Sequence, residues 1–349
     1  MGPLGCAEEY TVGIYDRTGG RQYGTVEASA LDWSRLLDDT SEANVAVPYQ
    51  GAECCQLLGD ARTWCNELAV FRDQTLVWQG PLVKIQHRGD ETLLQACDVT
   101  QWLFRRKIRA LLDFTGTNKA DLAVIGQRLI EHGFAPDDPN VLAYLMVSAS
   151  GIIGERKYAK NSGYVLDQLR ELARTGLDFT ALGRRILLMG EGPLGRLPGL
   201  TDEHFVGPLS VIEDGLAAIT HATVIGKGVT AQAGGVGACG LLEFIATEEE
   251  IQDIASAQAE ANALVAAGNP APLFLEVPDD SQLAPEAPVG INDLIPGVVI
   301  PVTSEATCRT VAADLRLIRL KVTFTENDGE KVGITLAPPG IDTPSTVAA

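Results

Sequence analysis

The chain has 349 residues, 46% of them hydrophobic, which is ordinary for a globular protein and more length than one core fills, so two or three domains are expected. Its 27 Lys and Arg against 46 Asp and Glu give a formal net charge of −19, which repels nucleic acid at long range and argues against duplex binding by the chain as a whole. No run of about 18 apolar residues is present to span a bilayer, and the start, MGPLGCAEEY, has neither the basic nor the apolar stretch of a secretory signal, so folding in a cytoplasm is expected.

Tyr10 to Tyr15 and Tyr23 to Ala28 read as two strands around the glycine- and charge-rich turn Asp16 to Arg21. Residues 29 to 48 continue extended, with Val45 and Val47 alternating against Asn44 and Ala46 before Pro48, and a short helix is predicted around Ala52 to Leu58. From Glu67 to Ile108 the chain is a train of short strands. Leu68 to Arg72 and Thr75 to Gln79 flank Asp73 and Gln74, which is not a preferred primed-turn pair, so a loop of about three to five residues is expected there. Gly89 and Asp90 suit a two-residue hairpin, with positive φ at the glycine, between Leu82 to His87 and Thr92 to Val99. Trp78, Leu82, Ile85, Leu94 and Trp102 supply large side chains for a sheet face to bury.

The periodicity then changes. Lys119 to His132 sets Leu122, Ile125, Leu129 and Ile130 on one helical face, with Gly133 as the C′ residue. A second helix, Tyr164 to Thr175, buries Val165, Leu169, Leu172 and Ala173 and stops at Gly176; Leu177 to Ala181 and Arg185 to Met189 follow as a hairpin. Strands return over Leu209 to Ile225, before a third helix predicted over Glu248 to Ala267 with Thr247 as N-cap and Glu250 completing a capping box. Gly268 to Pro288 is a Pro-rich connection holding one strand, Leu273 to Val277. Ile318, Leu320, Val322 and Phe324 alternate with Arg319, Lys321, Thr323 and Thr325, and the strand returning after Asp328 and Gly329 carries Val332, Ile334 and Leu336 on one face. The pattern divides into an all-β region at 1–108 carrying all four tryptophans, a small α+β domain at 109–199, a second β-rich region at 200–337 with an inserted helix at 248–267, and a mobile tail at 338–349.

Signals for chemistry are sparse. GEGPLG (Gly190 to Gly195) and GVGACG (Gly235 to Gly240) both fit GxGxxG, but the first contains Pro193 and precedes no helix, and the second precedes one that starts several residues too late to cradle a pyrophosphate; both are read as loops. Arg105, Arg106, Lys107 and Arg109 form the one dense basic run, read as a solvated connector or an edge for acidic neighbours rather than a phosphate site. The seven cysteines are odd in number and include no CxxC; Cys54, Cys55 and Cys65 are expected to be buried free thiols. His87, His132, His204 and His221 are far apart and no nucleophile motif occurs, so no catalytic, cofactor-binding or metal-ligating residue is assigned and no cofactor is expected.

One pattern of spaced residues is more specific. Trp33, Leu36, Asp38, Asp39, Thr40 and Ser41, with Cys54, Trp64, Glu67, Leu68 and Arg72, then VWQGPL and ACDVTQWLFRR, together resemble minor tail proteins of long-tailed actinobacterial phages, the tail-tip hub proteins related to the contractile-phage baseplate hub. The match covers the first third of the chain and continues more weakly through GERKY and ELARTGLDF. The resemblance implies two tail-tube-like β-barrels flanking the small α+β domain, a homotrimeric ring, and a structural rather than enzymatic role at the virion tail tip after assembly in the bacterial host cytoplasm. Its implied partners are further copies of the chain, the distal tail protein, the tape measure protein and distal tip, spike or receptor-binding proteins, with DNA passing through a lumen without specific binding. The net charge leads to the expectation of a carboxylate-lined lumen, with Arg105, Arg106 and Lys107 at neighbour contacts. The alternatives are a distal-tail adaptor ring, a tail-associated cell-wall hydrolase, and an unrelated acidic enzyme with a nucleotide loop at GVGACG.

Overall fold

The structure, a computed structural model, describes residues 2–49, 51–136, 144–190, 194–248, 251–277 and 281–338. Strands β1 (Tyr10–Asp16), β2 (Gln22–Glu27), β3 (Ala30–Leu36) and β4 (Glu42–Pro48) lead into helix α1 (Ala52–Asp60), then β5 (Asn66–Arg72), β6 (Thr75–His87), β7 (Glu91–Cys97) and the single turn α2 (Gln101–Phe104). The middle holds β8 (Leu112–Phe114), β9 (Ala120–Asp121), α3 (Leu122–Phe134), β10 (Leu145–Val147), β11 (Ile153–Gly154), β12 (Arg156–Tyr158), α4 (Val165–Ala173), β13 (Leu177–Leu182) and β14 (Arg185–Gly190). The remainder is β15 (Leu200–Thr201), β16 (Phe205–Val206), β17 (Ser210–Glu213), β18 (His221–Gly226), β19 (Thr230–Gly234), β20 (Glu243–Glu248), α5 (Ile254–Gly268), β21 (Leu273–Glu276), β22 (Gln282–Leu283), β23 (Val299–Ser304), β24 (Val311–Thr325) and β25 (Gly329–Ala337).

The protein is β-rich and its larger sheets are mainly antiparallel. Alternation buries one side of each strand: Leu31 and Trp33 of β3, Val45 and Val47 of β4, Leu320 and Val322 of β24, and Val332 and Ile334 of β25 all face one core. That core draws on both ends of the chain, because β3 pairs antiparallel with β24 from Ala30 opposite Thr325 to Leu36 opposite Arg319. The result is a 13-stranded sheet in the order β17-β21-β25-β24-β3-β4-β7-β6-β5-β1-β2, with β23 beside β24 and β15 beside β23. Two separate barrels are the expectation from resemblance; among the described residues the ladders instead form one open path and close no barrel.

A second core, running from Val99 to Leu188, packs α3 and α4 against β13 and β14. A small third unit packs α5 on the sheet β19-β18-β20. Buried polar contacts fasten the middle unit to the large sheet. Arg316 of β24 donates from Nη1 to Asp178 Oδ2 of β13 at 2.6 Å, with side chains only 1% and 2% exposed. Asp38, at φ 59°, accepts the Phe179 N–H at 2.7 Å on Oδ1 and donates its own N–H to the Phe179 carbonyl at 2.8 Å. Arg184, in the β13–β14 hairpin, bonds the fully buried Glu67 carboxylate, whose other oxygen accepts from Gln79 at 2.9 Å. Several residues of the tail-protein pattern, Asp38, Glu67 and the LDF of ELARTGLDF, therefore form this joint. Spacing that is unremarkable for catalysis is here a packing code.

The structure corrects several local expectations. Leu82 to His87 is not a separate strand: it continues from Thr75 as β6, which passes from pairing with β5 to pairing with β7. Asp73 and Gln74 form a tight two-residue turn, both at positive φ (47° and 67°), and Asp73 is held there by accepting the Glu8 and Glu9 N–H groups, so tertiary contacts override the residue preference. The Gly89–Asp90 turn forms between Arg88 and Glu91, but Gly89 is not at positive φ. Helix α3 starts later than Lys119, at the N-cap Asp121, which accepts from Ala123 N, and it runs through Gly133, where a Cβ would come 3.1 Å from Leu103; the glycine serves close packing instead of ending the helix. Helix α5 begins at the N-cap Asp253, which accepts from Ser256 N at 2.9 Å. Thr247 is a strand residue of β20, drawn out of the helix by parallel pairing with Ile225, and Glu250 lies outside the described residues. Cys55 is exposed and Cys54 half-buried, because α1 lies on the surface and buries only Leu58, and Cys65, in the turn before β5, is exposed as well. Of the predicted tail, residues 339–349 lie outside the described residues, as does the middle of GEGPLG.

Candidate functional site

The side of the large sheet turned away from the core is a solvent-facing surface, polar along one row of cross-strand neighbours and apolar at Ala30, Ala46 and Leu93 on the next, and the same alternation that builds the core builds it. Between the buried Leu320 and Val322, β24 presents Arg319, Lys321 and Thr323. Thr323 lies opposite Asp32 of β3, and Asp32 opposite Asn44 of β4, whose amide donates to the Asp32 carboxylate at 3.0 Å. Asn44 faces Gln95 of β7, and Gln95 faces Lys84 of β6, so the surface crosses from the C-terminal to the N-terminal strands without a break. A register shift in the β24–β25 ladder between Leu317 and Arg319 ends it: upstream, the second side of β24 is covered, Arg316 by Asp178 and Ile318 by Leu37, Met189 and Phe274. Two shallow clefts mark the face, one of about 310 Å³ beside Arg319, Lys321 and Lys331, the other of about 460 Å³ beside Asp32, Asn44 and Lys84.

The charge of this face differs from that of the chain. On β21, β25, β24, β3, β4, β7 and the second half of β6 it carries Lys84, Arg319, Lys321 and Lys331 against Asp32, Glu42, Glu91 and Glu276. It is therefore formally neutral, while the whole chain is at −19. The cations gather on β24 and β25.

The residues singled out from the sequence sit apart from this face, and of them the structure brings together the basic run's Arg109 and His132. In the basic run, Arg105 stacks over Trp64 at 5.5 Å and Arg106 over Trp102 at 5.6 Å, while Trp64 and Trp102 meet edge-on at 4.9 Å. Trp102, expected on a sheet face, is thus half-buried on α2. The histidines have separate local partners: His87 pairs with Thr92, His132 accepts the Arg109 N–H at 2.8 Å, His204 caps its own turn by accepting from Thr201 N, and His221 lies 3.8 Å from Glu243. GVGACG joins β19 to β20, with Gly237 and Gly240 exchanging backbone hydrogen bonds. No group of three or more His, Cys, Asp or Glu is arranged to hold a metal among the described residues.

Sequence reasoning missed the buried charges, although position alone signals them. Arg35 follows Leu31 and Trp33 on the inward side of β3, 4% exposed, donating to the carbonyls of Ile291, Leu294 and Val77 and to Asn292 Oδ1. Glu260 of α5, 7% exposed, lies in a cleft of about 420 Å³ against the middle unit, and its Oε2 makes no hydrogen bond. Burial first, and then Glu248, raise its carboxyl from 4.5 to about 7, with Arg156 opposing. Because the folded form holds the proton more tightly, the unfolded chain releases it first as pH rises. The stability that Glu260 contributes is thus full at and below pH 4.5, falls between 4.5 and about 7, and levels off above. Glu260→Gln should flatten that slope and stabilise the chain by up to about 3 kcal/mol at pH 8, read from urea midpoints across pH; a slope unchanged by the substitution contradicts the assignment.

No family model matches the chain, and no curated protein matches it in sequence. Among solved structures it is similar to a tail protein from Neisseria meningitidis (TM-score 0.65, 14% identity, 96% of this chain and 98% of that one) and to the 43 kDa tail protein of prophage MuSo2 from Shewanella oneidensis (TM-score 0.63, 13% identity, 96% and 100%). It is also similar to an E. coli type VI secretion component that itself resembles the phage T4 tail proteins gp27 and gp5 (TM-score 0.51, 10% identity, 95% and 79%). Along nearly its whole length, this chain has the fold of phage tail proteins.

Proposed function

We propose that the chain is a structural subunit of a phage tail tip: a hub that joins the tail tube to distal tip, spike or receptor-binding proteins, with the polar face of the large sheet lining the channel through which DNA leaves. The observation that carries this reading is the unbroken face itself, which strands from both chain ends build through the β3–β24 seam. Its neutrality suits a conduit, since a wall of matched charge has no net attraction for a phosphate chain. The carboxylate lining expected from the total charge is not what these strands carry; the excess acid lies on other surfaces. The whole-length likeness to phage tail proteins supports the same reading.

In this reading residues 1–108 and 200–337 are two tube-like modules fused edge to edge, and 109–199 is the α+β domain between them. Three copies then present six modules to a sixfold tube, with the distal tail protein and the tape measure protein as neighbours and DNA passing without sequence readout. The hub forms in the host cytoplasm and ends in the virion. Light scattering of the purified chain is expected to give the mass of three copies. Six copies would favour the distal-tail adaptor, and a chain that cleaves cell wall would favour the hydrolase.

A further inference from the structure

We propose that β20 is a docking strand: its open edge takes up an extended segment of another protein whose apolar residues lie between Lys or Arg flanks. Among the described residues β20 pairs only with β18, in a parallel ladder from His221 opposite Glu243 to Gly226 opposite Glu248, and it ends its sheet. Its other edge is unmatched. Just before the strand, the Leu242 carbonyl accepts from the Thr220 and His221 N–H groups and the Leu242 N–H donates to Thr220 Oγ1 at 2.8 Å, so the backbone of Leu242 points towards β18. Backbone groups alternate in direction along an extended strand, and those of Glu243, Ile245 and Thr247 therefore point away from β18.

The side chains fit the same role. Val224 of β18 pairs with Ala246, and both pack on α5; Phe244, on that side but beyond the helix's cover, is 43% exposed. On the opposite side Ile245 is 65% exposed, with the exposed Ile225 of β18 diagonal to it. Sheet edges are ordinarily blunted by Pro, Lys, a bulge or a covering loop. Among the described residues β20 has none of these: its ladder runs without a register shift, and it carries no Pro or Lys. One further strand would cover Phe244 and Ile245 from the two sides at once and complete the row of hydrogen bonds. Charge selects the occupant. Residues 218–268, which hold this sheet and α5, contain six Asp and Glu against the single Lys227, so a segment with basic flanks is favoured. A second copy is not: full-length antiparallel pairing of β20 with itself sets Glu243 opposite Glu248.

The test is fluorescence anisotropy of the labelled peptide KTVIVTK on the full chain, beside ETVIVTE and a KTVIVTK methylated at its central backbone nitrogens. KTVIVTK is expected to bind at low salt, ETVIVTE about tenfold more weakly, and the methylated peptide not at all, since it lacks the donors that a ladder needs. Salt at about 0.5 M should shrink the gap between the first two. Ile245→Pro removes a donor that faces away from β18, which an edge strand tolerates, so this variant should melt like the wild type yet bind KTVIVTK at least about tenfold more weakly. Ile245→Gln keeps the backbone and should weaken binding about fivefold through lost apolar contact. The proposal is overturned if KTVIVTK does not bind, if the methylated peptide or ETVIVTE binds equally well at low salt, or if Ile245→Gln leaves the affinity unchanged. It is also overturned if Ile245→Pro reduces an assembled mass to that of one chain, which would make a second copy the occupant and leave the hub reading standing. A chain that binds the peptide but forms no ring keeps this site and loses the hub reading instead.

Discussion

Arg316→Leu is expected to destabilise the folded chain by about 3–5 kcal/mol, because it leaves the Asp178 carboxylate buried and charged without its partner. The pair sits where β24 meets β13, and neither side chain reaches water to recover hydration. Removing both charges behaves differently. The R316L/D178L double variant should regain most of the loss, since two apolar groups of suitable shape pack there without a desolvation penalty. Urea unfolding of the two single variants and the double gives the coupling directly; single variants that unfold at the wild-type midpoint would show that the pair does not fasten the middle unit.

Gly80→Ala should be more damaging still. Gly80 lies in β6 as the strand leaves β5 for β7, and a Cβ there would fall 1.9 Å from the Cys97 carbonyl oxygen and 2.8 Å from the Asp98 Cα. Both are backbone atoms of a strand end, which cannot rotate aside as a side chain does, so a loss of roughly 4 kcal/mol or more is expected, with much of the product insoluble. Gly89→Ala, in open space on the neighbouring hairpin and without a positive φ, should change stability by no more than about 0.5 kcal/mol. Equal melting temperatures for the two variants would refute the steric account.

The parity of each strand was legible in the residues. Arg319 and Lys321 against Leu320 and Val322, or Asn44 and Ala46 against Val45 and Val47, say which side faces water before any coordinates exist. The helices of the middle unit were legible for the same reason, to within a few residues at their caps. The alignment of these strands into one face was not, because Leu36 pairs with Arg319, roughly 280 positions away, and nothing local records that choice. The Asp73–Gln74 turn and the start of α5 went astray where long-range partners, Glu8 and Glu9 in one case and the β18 ladder in the other, outweighed local preference. The outward cations of the C-terminal hairpin were half visible: Arg319 and Lys321 show in the alternation, but Lys331 joins their side of the sheet only through the hairpin register.

The β3–β24 seam also sets a timetable. At about 5–20 residues per second on the ribosome, roughly 15–60 s separate the emergence of Leu36 from that of Arg319. The middle unit, whose core lies within Val99 to Leu188, can finish folding inside that interval. β3 cannot, for one of its edges waits on a strand not yet made. A chain interrupted anywhere before Val311 is left with an open hydrogen-bonding edge in place of the polar face, so truncated products are diverted towards aggregation or removal before they can enter an assembly.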